Sequence, residues 1–181
     1  VFTPKGIVKE LPKGATPVDF AYAIHTEVGD HCVGAKVNGK IVPLRHEVTS
    51  GDTIEILTSS NQTPHRDWLK FVRTSRAKTK IKHWIKMEEQ KRSLEIGWRL
   101  LEAEIRRHGL PPSQVFKSDA LLDVAKQEGY ATIDELAAAV GFGHVATAQV
   151  VGRLVTPTSA GTSIQPDSVS VPKVIGARGV E

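Results

Sequence analysis

Apolar and polar positions along the first 58 residues change period several times, and each change predicts an element. "VFTP" and "IVKEL" are short extended runs separated by Lys5-Gly6, a hairpin-type turn. A helix is predicted from "PVDFAYAIHTEVG", where Phe20, Ala21, Ile24 and Val28 fall near helical spacing. Thr16 is its cap, Pro17 suits the first helical position because its missing N–H has no intrahelical partner there, and Asp19 favours the positive first turn. Gly29 stands where a left-handed residue commonly stops a helix. "VGAKV" and "KIVPL" follow as strands joined by Asn38-Gly39, the strongest short hairpin signal, and "TIEILT" alternates as a last strand after Ser50-Gly51-Asp52.

Five strands and one helix in under 60 residues predict a small mixed sheet curled over a helix, the ubiquitin-like β-grasp. After the polar segment "SSNQTP" the period becomes helical. "RDWLKFV" places Trp68, Leu69 and Val72 on one face, and helical signals continue from about Arg76 to His108. Within that stretch "EEQKRS" is polar on every side, so it is either solvated or a boundary between two helices. Two shorter helices are expected over residues 118–128 and 133–140, the second opened by a Thr132/Glu135 capping box and closed by Gly141. "ATAQVVGRLV" adds a last turn or two. The expected architecture is therefore α+β: a β-grasp over residues 1–60, an all-α domain over 64–155, and a tether rich in Ser, Thr, Pro and Gly within 156–181. No internal repeat is visible.

Composition narrows the class. With 40% hydrophobic and 24% charged residues, the 181-residue chain belongs among globular sequences. No apolar run approaches the roughly 20 residues of a membrane span, and residues 1–15 lack the pattern of a secretion signal, so a cytoplasmic location is expected. The single Cys32 excludes an internal disulfide and a cysteine-based zinc site. Starting at "VFTPKG" without an initiator Met, the chain is expected to be a piece of something longer.

Net charge is +4, but its distribution carries more information. Residues 1–64 hold 6 Lys/Arg against 7 Asp/Glu, residues 65–108 hold 13 against 6, and residues 109–181 hold 5 against 7. One middle segment thus supplies the whole excess, as expected of a face that meets phosphates or an acidic protein. Its densest part contains Arg73, Arg76, Lys78, Lys80, Lys82 and Lys86 with no acid between them. Lys78, Lys82 and Lys86 recur every fourth residue, while Ala77, Ile81, Trp84 and Ile85 turn towards a core. Like charges at this spacing repel by a few tenths of a kcal/mol per pair, so helix stability does not explain them. Phosphate contact does; a solvated basic face is the other reading. Trp84 and Trp98 sit on apolar stripes and are read as core residues.

Signatures of catalysis are missing: no phosphate-binding Gly-rich loop, no GxGxxG, no GxSxG and no HExxH occurs. The seven histidines have no i, i+4 pair, so neither a metal nor a cofactor is expected. Binding is the better starting point, and His25 poses the sharpest question. From the residues alone it reads as an imidazole half-buried on the helix shoulder and bonded to a backbone carbonyl.

The wording "VFTPKG…ELPKGATPVDFAYAIHTEVG…CVGAKVNGKIVPL" resembles a TGS domain, in particular that of the long RelA/SpoT-type enzymes of guanosine tetra- and pentaphosphate metabolism. "RDWLKFVRTSRAKTKIKHWIK" resembles the start of the helical domain that follows it in that family, and "GFGHVATAQVVGRL" its end. "VPKVIGARGVE" resembles the entry into the next regulatory domain.

The resemblance implies a stringent-response protein, a GTP pyrophosphokinase with or without (p)ppGpp hydrolase activity, whose catalytic domains lie upstream; this part would itself catalyse nothing. It implies that the TGS domain reads the 3′-CCA end of uncharged tRNA in the ribosomal A site, with the helical domain against ribosomal RNA and tRNA. In some members the TGS domain binds acyl carrier protein instead. The histidine of the "IHT" motif, which matches His25, would contact the CCA tail. Thr26, Lys36 and Arg45 are expected to line the pocket wall, and Arg73, Arg76, Lys78, Lys80, Lys82 and Lys86 to meet RNA backbone. Three roles follow: a reader of the tRNA end, a binder of acyl carrier protein, and an intramolecular regulator of the catalytic half.

Overall fold

The computed structural model describes residues 1–155; the expected tether and the entry into a further domain, 156–181, lie outside the described residues. Packing divides the chain into two compact units, Val1–Lys91 and a second beginning at Arg92.

In the first unit, helix α1 (Pro17–Ile24) opens as its sequence dictates, with Thr16 at the cap, Pro17 in the first turn and Asp19 accepting the Thr16 N–H at 2.9 Å. Helix α2 (Thr26–Asp30) follows after a single extended residue, His25. Three strands come next: β1 (Cys32–Val37), β2 (Lys40–Val42) and β3 (Ile54–Thr58), in the order β2-β1-β3 and antiparallel throughout. Asn38 at φ 49° and Gly39 at φ 78° make the tight β1–β2 turn. The register sets Lys36 opposite Ile41 on one side and Glu55 on the other. Ala35, Val37 and Ile54 are buried, and Phe20 of α1 packs with Val37 and Ile54. This is a β-grasp.

Three local expectations are corrected. "VFTP" and "IVKEL" do not form ladder strands: Phe2 makes one isolated antiparallel bridge to Val8 and one parallel bridge to Thr53. The left-handed turn at Gly6 and the missing N–H of Pro4 leave arms too short for more. The single helix expected over residues 17–28 is two, broken at His25. Gly29 has no positive φ and lies inside α2, where a Cβ would collide with the Tyr22 ring; its smallness lets that ring lie flat, and the Tyr22 hydroxyl donates to Asp30 at 2.8 Å.

A 3-10 helix, Arg66–Lys70, buries Trp68 and leads to α3 (Ser75–Arg107), whose first half completes the first unit. Val18, Ala21, Tyr22 and Cys32 share one core with Trp68, Val72, Ala77 and Ile81. The polar "EEQKRS" stretch does not end the helix: α3 is continuous through it, and the division between units falls inside it, between Lys91 and Arg92.

The second unit adds α4 (Pro112–Val115), α5 (Asp119–Gln127), α6 (Ile133–Gly141) and α7 (Thr147–Val155). Leu101, Leu121, Val124, Leu136, Val140 and Val150 are among its core residues. Thr132 caps α6 by accepting the Glu135 N–H at 3.1 Å, but Glu135 returns the bond to Ala131 at 2.8 Å instead of to Thr132. Gly141 does not close α6 either; Gly143, at φ 79°, turns the chain away. A Cβ on Gly141 would overlap the Ser93 carbonyl, and one on Gly97 the Ala137 carbonyl, so α3 and α6 cross backbone against backbone. Trp98 packs edge-on against Phe116 and donates to Asp134 at 3.2 Å, as a core-edge residue.

Candidate nucleic-acid interface

His25 is built into a helix junction. Its backbone, at φ −157° and ψ 149°, ends α1, where its N–H donates to the Ala21 carbonyl at 3.1 Å. The same residue caps α2: imidazole Nδ1 accepts the Glu27 N–H at 3.3 Å. An Nδ1 that accepts has its lone pair in use, so the neutral ring carries its proton on Nε2. The residue is exposed, and no other hydrogen bond or ring contact to the imidazole occurs among the described residues. The ring is therefore oriented from one side and presents a donor, with its aromatic faces, on the other.

Thr26, the first residue of α2, is partly exposed beside it. Arg45 is exposed in the loop after β2. Lys36 lies elsewhere: its neighbours Ala35 and Val37 point into the core under α1, so Lys36 lies on the open face of the sheet, where its ammonium pairs with Glu55 at 3.4 Å. Ile41, its other cross-strand partner, is 76% exposed on that face. A cleft of about 550 Å³ between residues 8–13 and 48–50 contains none of these side chains.

The basic run is arranged as its spacing predicts. Ala77 and Ile81 are fully buried, Trp84 and Ile85 half-buried, and Arg76, Lys78, Lys80, Lys82 and Lys86 all exposed. Among the described residues none of these five makes an ion pair, whereas nearby Arg66 pairs with Glu89 and Lys70 with Asp67. Arg73 differs: it precedes the helix, and its guanidinium lies over Gly14 beside the Glu47 side chain.

The residue that sequence reasoning under-read is Asp19. Beyond opening α1, its carboxylate accepts the Arg73 N–H at 3.0 and 3.1 Å, the Thr74 N–H at 2.7 Å and the Thr74 hydroxyl at 2.7 Å. No sequence signal links residues 54 and 55 positions apart. Cys32 is inert by comparison: it is buried, and burial pushes its thiol up to about 11. Among the described residues no cluster of three His, Cys, Asp or Glu side chains is arranged to hold a metal, and no helix is long and apolar enough to cross a membrane.

A β-grasp carrying a helix-junction histidine, followed by a basic helix and a helical unit, defines a class that family comparison resolves. The TGS domain family matches residues 1–58, and the RelA/SpoT AH domain family matches residues 84–155. The chain thus carries the TGS and AH domains of the RelA/SpoT family. It is 50% identical over 155 residues to the GTP pyrophosphokinase of Myxococcus xanthus, a match that covers 86% of this chain and 20% of that protein. Against the bifunctional (p)ppGpp synthase/hydrolase RelA of Mycobacterium tuberculosis it is 47% identical over 156 residues, 85% of this chain and 21% of that one. The guanosine-3′,5′-bis(diphosphate) 3′-pyrophosphohydrolase of Aquifex aeolicus is 46% identical over 157 residues, 87% and 22% of the two chains. The chain spans about a fifth of these relatives' length, in their C-terminal part.

Proposed function

We propose that this chain is the regulatory region of a cytoplasmic RelA/SpoT-type (p)ppGpp enzyme and that its TGS domain reads the 3′-CCA end of uncharged tRNA on the ribosome. The observation that carries the reading is the exposed, pre-oriented imidazole of His25. An aromatic ring held on one side stacks on an unpaired base at small entropic cost, and such stacking contributes roughly 1 to 3 kcal/mol per base. Nε2–H, directed away from the α2 cap, supplies a donor for a phosphate or base edge. Thr26, the next residue along the chain, is the near candidate for the pocket wall, and Arg45, exposed in the loop after β2, is a further one. Lys36 would join them only by leaving Glu55, and an exposed pair of that kind holds by about 0 to 1 kcal/mol.

Discrimination needs no chemistry. A free 3′ hydroxyl fits against a close wall that an attached aminoacyl group would strike. Arg76, Lys78, Lys80, Lys82 and Lys86, exposed and without an ion-pair partner among the described residues, would neutralise backbone phosphates of tRNA or ribosomal RNA, with Arg73 at their margin. The parent protein would carry GTP pyrophosphokinase activity, with or without (p)ppGpp hydrolysis, in domains this chain does not contain; those domains are the partners this region would govern.

The test is a salt-dependent titration of the chain with deacylated and aminoacylated tRNA. Deacylated tRNA should bind more tightly, and His25→Glu should weaken it by about tenfold or more, the equivalent of one stacked base, with the fold intact by circular dichroism. Equal affinity for the two tRNA forms would exclude the reading. Capture of acyl carrier protein that survives His25→Glu would instead assign the basic surface to an acidic protein.

A further inference from the structure

Asp19 is 1% exposed, yet no cation pairs with it among the described residues. Its charge is met entirely by N–H and O–H donors from two places in the chain. Oδ2 accepts the Thr16 N–H and the Thr16 hydroxyl, both at 2.9 Å, at the start of α1. Oδ1 accepts the Thr74 N–H and hydroxyl, both at 2.7 Å, and the Arg73 N–H is shared between the two oxygens at 3.0 and 3.1 Å. Thr74 in turn receives the Ala77 N–H on its hydroxyl oxygen at 3.2 Å, which caps the first turn of α3. One carboxylate therefore joins the openings of two helices.

Those helices carry the two halves of the candidate interface. At 1.5 Å per residue, His25 lies about 9 Å along α1 from Asp19, and Lys86 about 18 Å along α3 from Thr74. The apolar contacts of Ala77 and Ile81 with Tyr22 and Val18 hold α3 against the β-grasp without direction, because hydrophobic contact tolerates sliding. Several directional bonds to one rigid group do not tolerate it. Ionised acceptors also make the stronger hydrogen bonds.

We propose that Asp19 is a positioning residue for polynucleotide recognition: it fixes the first turn of α3, and with it Arg76 to Lys86, relative to His25, so that backbone and terminal base are engaged together. This rests on the RNA-reading function proposed above. Asp19 touches no RNA itself; it sets where the cations stand.

The test uses the full chain with Asp19→Asn, which keeps the shape but turns one acceptor oxygen into a donor facing N–H groups. Amide exchange at Arg73, Thr74 and Ala77 should quicken about tenfold or more, on the scale of a missing bond to a charged acceptor. Binding of a short single-stranded RNA ending in CCA should weaken, and its salt dependence should flatten by about 0.7 in log–log slope for each phosphate no longer neutralised. The preference for a CCA end over a scrambled end, which His25 supplies, should persist. Thr74→Ser keeps the hydroxyl and should behave as wild type; Thr74→Val, which spares the carboxylate, should fall between. Faster exchange with an unchanged salt slope would overturn the positioning role alone, as would unchanged exchange. Failure of the wild-type chain to bind either RNA would overturn the RNA reading and the positioning role with it.

Discussion

At the turn between β2 and β3, Asp52 closes a polar knot: it accepts the Thr49 N–H at 2.7 Å, the Thr49 hydroxyl at 2.9 Å and the Asn38 amide at 2.8 Å. The Thr49 N–H, then the Asn38 and Thr49 side chains and nearby His46, hold its carboxyl below the ordinary carboxylate value against the opposing effect of burial. A depressed carboxyl stabilises the fold above its unfolded pKa and loses that contribution as pH falls through its folded pKa. Asp52→Asn should therefore lower the unfolding free energy by about 1 to 3 kcal/mol at pH 7, the cost of unmaking buried bonds to a charged acceptor. The difference should begin to shrink in chemical denaturation below about pH 3.9 and vanish only below the depressed folded value; a gap independent of pH would assign it to packing instead. Position 19 shows how much of such chemistry the local sequence holds. Thr16, Pro17 and Asp19 announce a helix start, yet nothing nearby announces that the same carboxylate receives Thr74.

Glycines separate the elements whose fate was legible from those whose fate was not. A glycine serves either by adopting positive φ or by lacking a side chain, and sequence does not distinguish the two. Asn38-Gly39 is the first kind and was legible as a hairpin; Gly29 and Gly141 are the second kind and look like helix stops. Gly97, in mid-helix, carries only a faint signal, the small residues Ser93 and Gly97 facing Ala137 and Gly141 at the same spacing. Gly97→Ala or Gly141→Ala should destabilise the second unit by about 1 to 3 kcal/mol through overpacking, although alanine favours a helix by up to about 1 kcal/mol. Thermal unfolding of the two variants, with amide exchange in α6, reads the sign. The break at His25 belongs to this scale too, because an imidazole that caps α2 ends the helical run the apolar spacing predicted.

For the whole molecule, the decisive fact is that the β-grasp does not complete its own core. Val18, Ala21, Tyr22 and Cys32 are covered by Trp68, Val72, Ala77 and Ile81. Burying one large apolar side chain contributes about 1.5 to 3 kcal/mol, and a whole domain is stable by only about 5 to 15 kcal/mol. A chain of residues 1–91 should therefore unfold cooperatively, while one of residues 1–60 should show a broad transition and bind a hydrophobic dye. A sharp, dye-free transition for residues 1–60 would refute this dependence.

The sequence by itself determined what neighbours within about four residues decide: the Thr16-Pro17 helix start, the Asn38-Gly39 turn, the helical period on either side of the polar stretch in α3 and the acid-free run of cations at its start. These follow from φ/ψ limits, capping and side-chain period, all local. Only the tertiary structure decided that His25 faces outward from a helix junction, that Lys36 stands on the open face of the sheet paired with Glu55, and that Asp19 joins two helix starts. The last two depend on which distant segments are brought together, a choice made by the summed burial of the core, whereas the His25 junction is a local cap that the apolar spacing of residues 20–28 concealed.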